Sequence, residues 1–149
     1  MANAIPNSAL AGLINGSIDL NTDDIRVRLC MTNTTCDTEV DAIDNLSDYT
    51  TIDPCDATGY ADVALVSETV AADDSNNRAD FSANDAVFSG LGGDATRDIQ
   101  GTLVYKYVDG TNANDVPIVF IDFTENKSSA ATQITVPFST TDILRIAQA

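Results

Sequence analysis

The sequence predicts a mainly β fold, namely an antiparallel β-sandwich or jelly-roll-like domain with one or two short helices near the N-terminus. Short apolar or alternating segments recur at spacings of about 8 to 12 residues in the second half of the chain. Glycine, asparagine and aspartate separate these segments, as is typical of tight turns. The stretch GTLVYKYVDGTNANDVPIVFIDF, residues 101–123, joins two apolar runs through a polar loop and predicts a hairpin.

The chain of 149 residues is predicted to form a single β-rich domain, since a chain of this length usually builds one core. Two parts depart from the strand pattern. Residues 1–20 form a predicted N-terminal helical arm. Residues 38–58 form a predicted helical or loop insertion, and Pro54 within it and Gly59 directly after it interrupt regular structure.

Each of these two parts contains a predicted helix. In the arm, Ser8 is a candidate N-cap and Gly16 a candidate stop, which predicts a short helix over residues 8–16 with apolar residues at Leu10, Leu13 and Ile14. In the insertion, a helix is predicted over residues 38–49 because Thr38 can cap it and apolar residues follow at a spacing of three, at Val40, Ile43 and Leu46.

The remaining segments are predicted as strands. DDIRVRLCMT alternates, so that one face carries Ile25, Val27 and Leu29 and the other carries Arg26, Arg28 and Cys30. YADVALVSETVA contains one or two strands, and DDSNN, residues 73–77, is a turn. Further strands are predicted in RADFSA, where Ala79 and Phe81 share a face, and in DAVFSG, TQITVPFS and TDILRIA.

The hairpin of residues 101–123 is predicted to lie at the centre of the fold. Its first run places Leu103, Tyr105 and Tyr107 on one face and Val104, Lys106 and Val108 on the other, and its second run is apolar on both faces except at Asp122. Strands that are apolar on both faces are covered by a layer on each side. We expect burial to stabilise the fold by about 1.5 to 3 kcal/mol for each large side chain, at Leu103, Tyr105, Val119, Ile121 and Phe123.

The charge of the chain argues against binding to nucleic acid or to anionic membranes. The sequence has 23 acidic and 7 basic residues and no histidine, which gives a formal net charge of -16. The acids are spread along the chain, and no cluster of Lys and Arg is present to release counterions from phosphates. Two interpretations of the acidity remain open: a surface adapted for solubility or salt, and a surface that recognises a basic partner.

The sequence also predicts a soluble protein that is made in the cytoplasm. No stretch approaches the ~20 continuous apolar residues of a membrane-spanning helix. The N-terminal residues lack the basic region and the long apolar core of a secretion signal.

The three cysteines, Cys30, Cys36 and Cys55, permit two interpretations. Three thiolates without a histidine are one ligand short of a closed structural zinc site, so no zinc is expected. Cys30 and Cys36 are spaced to close a short loop as a disulfide, with a bond to a neighbouring subunit as a further alternative. In a cytoplasmic protein all three thiols are expected to stay reduced.

A search for catalytic and cofactor-binding groups predicts no site of either kind. Without histidine, the usual general base and the common nucleophile pairs are missing. GLGG at residues 90–93 lacks the Lys and Ser or Thr of a phosphate-binding loop. The spacing of Asp109, Thr111 and Asp115 does not reproduce a calcium loop. We expect no catalytic residue, no cofactor and no metal site, and therefore no enzyme.

The order of the segments resembles a class of small accessory virion proteins of tailed bacteriophages. The resemblance covers nearly the whole chain and rests on the patterns IDL…DDIRVRL, LVYK and IVFIDF, with the TGYADVALVSETV block between them and ITVPFS near the end. Such proteins are structural components encoded near the head genes. The resemblance implies a capsid decoration or cement protein, and the cysteine trio is not a feature of the class.

The expected function is therefore that of a non-enzymatic virion protein on the outer surface of the capsid. Its expected partners are the major capsid protein and neighbouring copies of itself, as a homo-oligomer on the shell, and not nucleic acid or membrane. A tail, fibre or baseplate component is the main alternative, because it would share the β-rich and acidic character. A carbohydrate-binding module is less favoured because the chain has no tryptophan for an aromatic platform.

Overall fold

The computed structural model describes residues 3–139 and 142–147. Within them, helix α1 spans Asn7–Asn15 and a 3₁₀ turn spans Leu46–Asp48. The strands are β1 Ile25–Met31, β2 Val63–Ala64, β3 Thr69–Asp73, β4 Arg78–Ser82, β5 Ala86–Ser89, β6 Ile99–Lys106, β7 Val116–Lys127, β8 Gln133–Val136 and β9 Leu144–Ala147. The prediction of a mainly β fold with a short helix near the N-terminus is confirmed.

The strands form three antiparallel sheets, and β6 is central in the largest of them. That sheet has the order β2-β1-β6-β7, so β6 pairs with β1 on one side and with β7 on the other. The second sheet has the order β3-β4-β9, and the third pairs β5 with β8. The predicted hairpin is therefore confirmed as the pair β6 and β7, and the region 60–73 contains two strands.

Two hydrophobic clusters cover the two faces of the largest sheet, as in a sandwich. Because side chains alternate along a strand, Leu103 and Tyr105 of β6 enter the smaller cluster, whereas Val104 enters the larger one. The larger cluster is completed by apolar residues of β4, β5, β8 and β9, and the smaller one by residues of the long connection between β1 and β2. The β6 strand is thus buried on both faces, as the sequence predicts.

A bulge in β7 adds a side chain to the larger cluster. The register passes from Val104 opposite Val119 to Tyr105 opposite Pro117, which leaves Ile118 as the extra residue. Ile118 and Val119 both enter the larger cluster and both are fully buried. The apolar character of both faces in PIVF is explained by this bulge together with the burial of Phe120 in the smaller cluster.

Helix α1 is confirmed, but its predicted N-cap is wrong. The N-cap is Pro6, and the hydroxyl of Ser8 instead donates a hydrogen bond to the carbonyl of Ile43. The helix buries its small residues, among them Gly12, where a Cβ would lie 2.7 Å from the side chain of Ile18. Ile14 is 89% exposed as a result. Small residues allow the helix to approach the loop that follows it more closely than leucine would.

The helix predicted over residues 38–49 is wrong. The segment consists of turns, with one 3₁₀ turn at Leu46–Asp48. Ala42 has a left-handed backbone with φ of 58°, which interrupts a helix. The carboxylate of Asp48 accepts hydrogen bonds from the N–H groups of Asp44 and Asn45 at 2.9 and 2.8 Å, so local side-chain bonds replace helical ones.

The predicted energetic centre of the hairpin is correct for three residues and wrong for two. Leu103, Tyr105 and Val119 are buried, but Ile121 and Phe123 are only half-buried. Both pack against the margin of the larger cluster. The regular pairing of β7 with β6 ends at Asp122, opposite Gly101, and resumes at Lys127, opposite Ile99, so Phe123 lies in an irregular stretch of β7. Phe120, opposite Leu103, takes the central place instead.

The described residues contain a single α-helix, nine residues long, and no helix among them is long and apolar enough to cross a membrane.

The turn predicted at residues 73–77 connects β3 to β4, as expected. In β4, Phe81 is buried while Ala79, two residues earlier, is exposed. The inner face of this sheet therefore extends beyond the core.

We predict that Phe120→Ala lowers the free energy of unfolding by about 3 to 5 kcal/mol, because it leaves a cavity in a fully buried cluster. Phe123→Ala, the matched control, should cost roughly 1 to 2 kcal/mol because its ring is already partly in solvent. Urea unfolding of both variants measures the two losses. Equal losses would show that the hairpin is not anchored at Phe120.

Candidate functional site

Asp62 is the centre of the densest polar cluster among the described residues. Its carboxylate accepts hydrogen bonds from the hydroxyls of Tyr60 and Tyr105, each at 2.7 Å, and pairs with the guanidinium of Arg28 at 2.8 Å. The Arg28 guanidinium also lies 5.1 Å from the centre of the Tyr105 ring. The Tyr60 hydroxyl in turn accepts the N–H of Leu29 at 2.8 Å. Each of these groups is therefore engaged by another member of the cluster.

The protonation of this cluster suits a structural role. Burial raises the pKa of both Tyr60 and Tyr105, and the Asp62 carboxylate beside them raises each pKa further. Both phenols therefore stay protonated and donate to Asp62. The cluster ties β1 and β6 to the chain that precedes β2.

A second buried carboxylate, Asp115, organises the loop between β6 and β7. Its Oδ1 accepts the N–H groups of Val108 at 2.7 Å and of Asp109 and Gly110 at 3.3 Å. Its Oδ2 is buried without a hydrogen-bond partner within the described part of the chain. Residues 108–114 of this loop are exposed, but Asp115 is completely buried.

The polar side chains of this loop form hydrogen bonds within the loop itself. Asp109 accepts hydrogen bonds from the backbone and side chain of Thr111 at 2.9 and 2.8 Å and from the amide of Asn114 at 2.7 Å. Across residues 3–139 and 142–147, no three or more Asp, Glu or Cys side chains are grouped so that they could hold a metal ion.

A surface groove of about 560 Å³ lies beside the second half of β7. Its apolar lining comes from both sides of the groove, from Ile121 and Phe123 of β7 and from Val136, Pro137 and Phe138 at and after the end of β8. We call it the β7 groove. Val136 and Phe138 are buried, whereas Ile121 and Phe123 are partly exposed, so the groove presents apolar surface to solvent.

One side of the β7 groove is an open strand edge. β7 is the last strand of its sheet, and among the described residues its outer edge pairs with one backbone segment, at Ala4. Ala4 and Phe120 exchange two hydrogen bonds, at 3.0 and 2.8 Å. Because backbone groups alternate between the two edges, and Asp122 opposite Gly101 keeps the register of Phe120 opposite Leu103, the N–H of Asp122 points to the same side as that of Phe120. This edge can therefore accept a further strand.

The rim of the β7 groove is predominantly acidic. Asp122, Glu125 and Asp142 line it, against the single cation of Lys127. Lys127 lies 5.6 Å from the centre of the Phe123 ring. Burial raises the pKa of Asp122, and the nearby charge of Asp37 raises it further. A cation placed beside Asp122 would relieve this repulsion.

The β3-β4-β9 sheet provides a second exposed surface. One face continues the buried side of Phe81 outward through Val70 and Ile146, which are 44% and 56% exposed. The opposite face carries an ion-pair ladder in which Asp80 pairs with both Arg78 and Arg145 at 2.9 Å. This sheet projects from the core, and its strands are held together by charge pairs as well as by backbone bonds.

The structure places the three cysteines on two sides of the largest sheet. Cys30 and Cys36, the predicted disulfide pair, both lie in the smaller cluster. Cys55 belongs to the larger cluster. All three are buried as free thiols, so the disulfide stays a prediction.

The β7 groove was not predicted from the sequence, which instead assigned Ile121 and Phe123 to the core. The sequence feature that indicates the groove is the change along IVFIDFTENK, where the apolar run stops at Phe123 and four polar residues follow. A strand that becomes polar on both faces is leaving the core. Comparisons with protein-family models, with curated proteins and with solved structures found no match for this chain.

We predict that Asp62→Asn lowers the free energy of unfolding by roughly 2 to 4 kcal/mol, because the largely buried Arg28 loses its counter-charge. Asp24→Asn is the matched control, since Asp24 pairs with Arg26 at 2.8 Å but is 43% exposed, and it should cost less than about 1 kcal/mol. Chemical denaturation checks both values. If Asp62→Asn is as mild as the control, the cluster does not hold the strands together.

Proposed function

We propose that the protein is a virion structural protein that binds the outer surface of a tailed-phage capsid as a decoration or cement protein. It is made in the host bacterial cytoplasm and acts without catalysis, by adding contacts between neighbouring capsid subunits. The observation that carries this proposal is the β7 groove, where an open strand edge, an apolar floor and an acidic rim meet. The whole-chain resemblance to accessory virion proteins supports it.

The distribution of charge favours the outside of the shell over its interior. All seven basic residues are described, and the following six form ion pairs with aspartates: Arg26, Arg28, Arg78, Arg97, Lys106 and Arg145. The excess of acids therefore faces outward without a basic patch to attract DNA. A surface of this kind is repelled by packaged DNA and suits recognition of basic groups on the shell.

The β7 groove is the proposed contact with the major capsid protein. An extended segment of the shell would add a strand to the edge at Asp122 and Thr124, place apolar side chains on Phe123 and carry Lys or Arg to the acidic rim. Neighbouring copies of the protein would form the other contacts. When two or more weak contacts act together, the second forms at high effective concentration, so each interface need not be strong.

The alternatives from the sequence are separable by position in the particle. A tail, fibre or baseplate component would have the same acidic, β-rich character but would be present in few copies. A sugar-binding module requires an exposed aromatic platform, and no aromatic side chain among the described residues is in the exposed class. Counting copies per purified virion distinguishes hundreds, as on a head, from a dozen or fewer, as in a tail.

We predict that particles lacking the protein still assemble and package DNA but release it at lower temperature, and that adding back the purified protein restores them. Thr124→Pro should restore them poorly because it removes a backbone donor from the stretch of β7 that lines the groove, while remaining compatible with an edge strand. Thr124→Val, which keeps the N–H, should restore them fully. Thermal release of DNA, followed by dye fluorescence, measures all three.

Two results would contradict this prediction. If depleted particles withstand heat as well as complete ones but fail to adsorb to cells, the protein belongs to the tail and does not cement the shell. If both Thr124 variants restore the particles equally, the protein is a cement protein that binds through a surface other than the β7 edge.

A further inference from the structure

The turn after β1 brings two thiols together inside the smaller cluster. Cys30 lies in β1, Cys36 lies in the segment that follows, and both side chains are fully buried. The hydroxyl of Tyr49, a member of the same cluster, is buried without a hydrogen-bond partner among the described residues. Two thiols of one buried cluster thus occupy places where a closed core would carry apolar groups.

The backbone of this turn is fixed by hydrogen bonds that do not involve the thiols. The N–H of Thr34 donates to the carbonyl of Met31 at 3.1 Å, and the N–H of Thr35 donates to the carbonyl of Thr51 at 2.8 Å. The N–H of Cys36 donates to the hydroxyl of Thr34 at 3.2 Å. The chain therefore doubles back, and Cys36 is held against Cys30 before any bond forms between them.

We propose that Cys30 and Cys36 are a thiol–disulfide exchange site, which a small-molecule disulfide oxidises to an intramolecular bond. In the first step the Cys36 sulfur attacks one sulfur of the small disulfide, and one small thiolate leaves. In the second step the Cys30 sulfur attacks the Cys36 sulfur, and the second small thiolate leaves. The two cysteine protons pass to the two released thiolates, so the protein loses two electrons that the small disulfide gains.

The environment of the two thiols sets this order. The hydrogen bond from Cys30 lowers the pKa of Cys36, whereas burial raises the pKa of Cys30 and its bond to Cys36 raises it further. Cys36 also lies in a turn, outside the paired strands, while Cys30 is held between β6 and the bridge to Pro54. Local opening of the turn exposes Cys36 first.

The third cysteine provides the internal control. Cys55 follows Pro54, the bridge partner of Cys30, but its side chain enters the larger cluster on the opposite face of the sheet. The backbone of Cys55 therefore lies close to that of Cys30, whereas its side chain lies on the other side of the sheet from the Cys30 sulfur. Closing the ring between Cys30 and Cys36 restricts the unfolded chain and stabilises the turn against β1. This inference concerns the isolated protein and does not depend on the proposed virion role.

The test is incubation of the purified reduced protein with oxidised glutathione, in buffer and in urea just below the unfolding transition. Intact mass and peptide mapping should show that wild type and Cys55→Ser lose two hydrogens through a Cys30–Cys36 bond, with a raised unfolding midpoint. Cys30→Ser should stop at a glutathione adduct on Cys36. Cys36→Ser should form neither a bond nor an adduct.

Three results would overturn the proposal. Wild type that keeps three free thiols in both buffer and urea would show that the pair is not an exchange site. A bond to Cys55 would show that the sheet does not separate the thiols. An adduct on Cys30 in Cys36→Ser, with none on Cys36 in Cys30→Ser, would reverse the order of attack. Peptide mapping of wild type decides the pairing even if a serine variant fails to fold.

Discussion

The structure depends on one constraint: β6 is buried on both faces. Leu103 and Tyr105 face one cluster and Val104 the other, and each is no more than 2% exposed. Each face therefore needs a covering layer. The smaller strands cover one face, and the connection between β1 and β2, which contributes Leu46 and Tyr49, covers the other. That connection has almost no regular secondary structure, yet without it one face of β6 would lie in water.

Among the described residues, the outer edge of β7 pairs only at Ala4. The register of β6 and β7 shifts between Asp122 and Lys127, and the outer half of β7 carries apolar groups at Ile121 and Phe123 that the core only partly covers. Exposed apolar surface is unfavourable in water, and an unpaired strand edge can pair with a strand of another chain. The acidic rim makes pairing between copies of this chain unfavourable and favours a basic partner. The proposed role on the capsid follows from this combination.

Patterns of period two predicted the strands well, because alternation at Ile25, Val27 and Leu29 records which face is buried. Apolar residues at a spacing of three predicted a helix over residues 38–49 that does not form. A chain of turns can also bury every third residue, and the hydrogen bonds accepted by Asp48 are not evident from the sequence pattern. The β7 groove could not be predicted because it depends on the register shift between β6 and β7 and on the chain after β8. The closeness of Cys30 and Cys36 was expected from their spacing, whereas the separation of Cys55 required the sheet.

Hydrogen exchange of the free protein and of the protein bound to depleted shells tests the central claim most directly. Exchange in the free protein should be slowest at residues 103–105 of β6, because these amides are released only when the whole fold opens. On the shell, new protection should appear at residues 121–127 of β7. New protection confined to the hairpin of β3 and β4, with residues 121–127 exchanging as fast as in the free protein, would contradict the account.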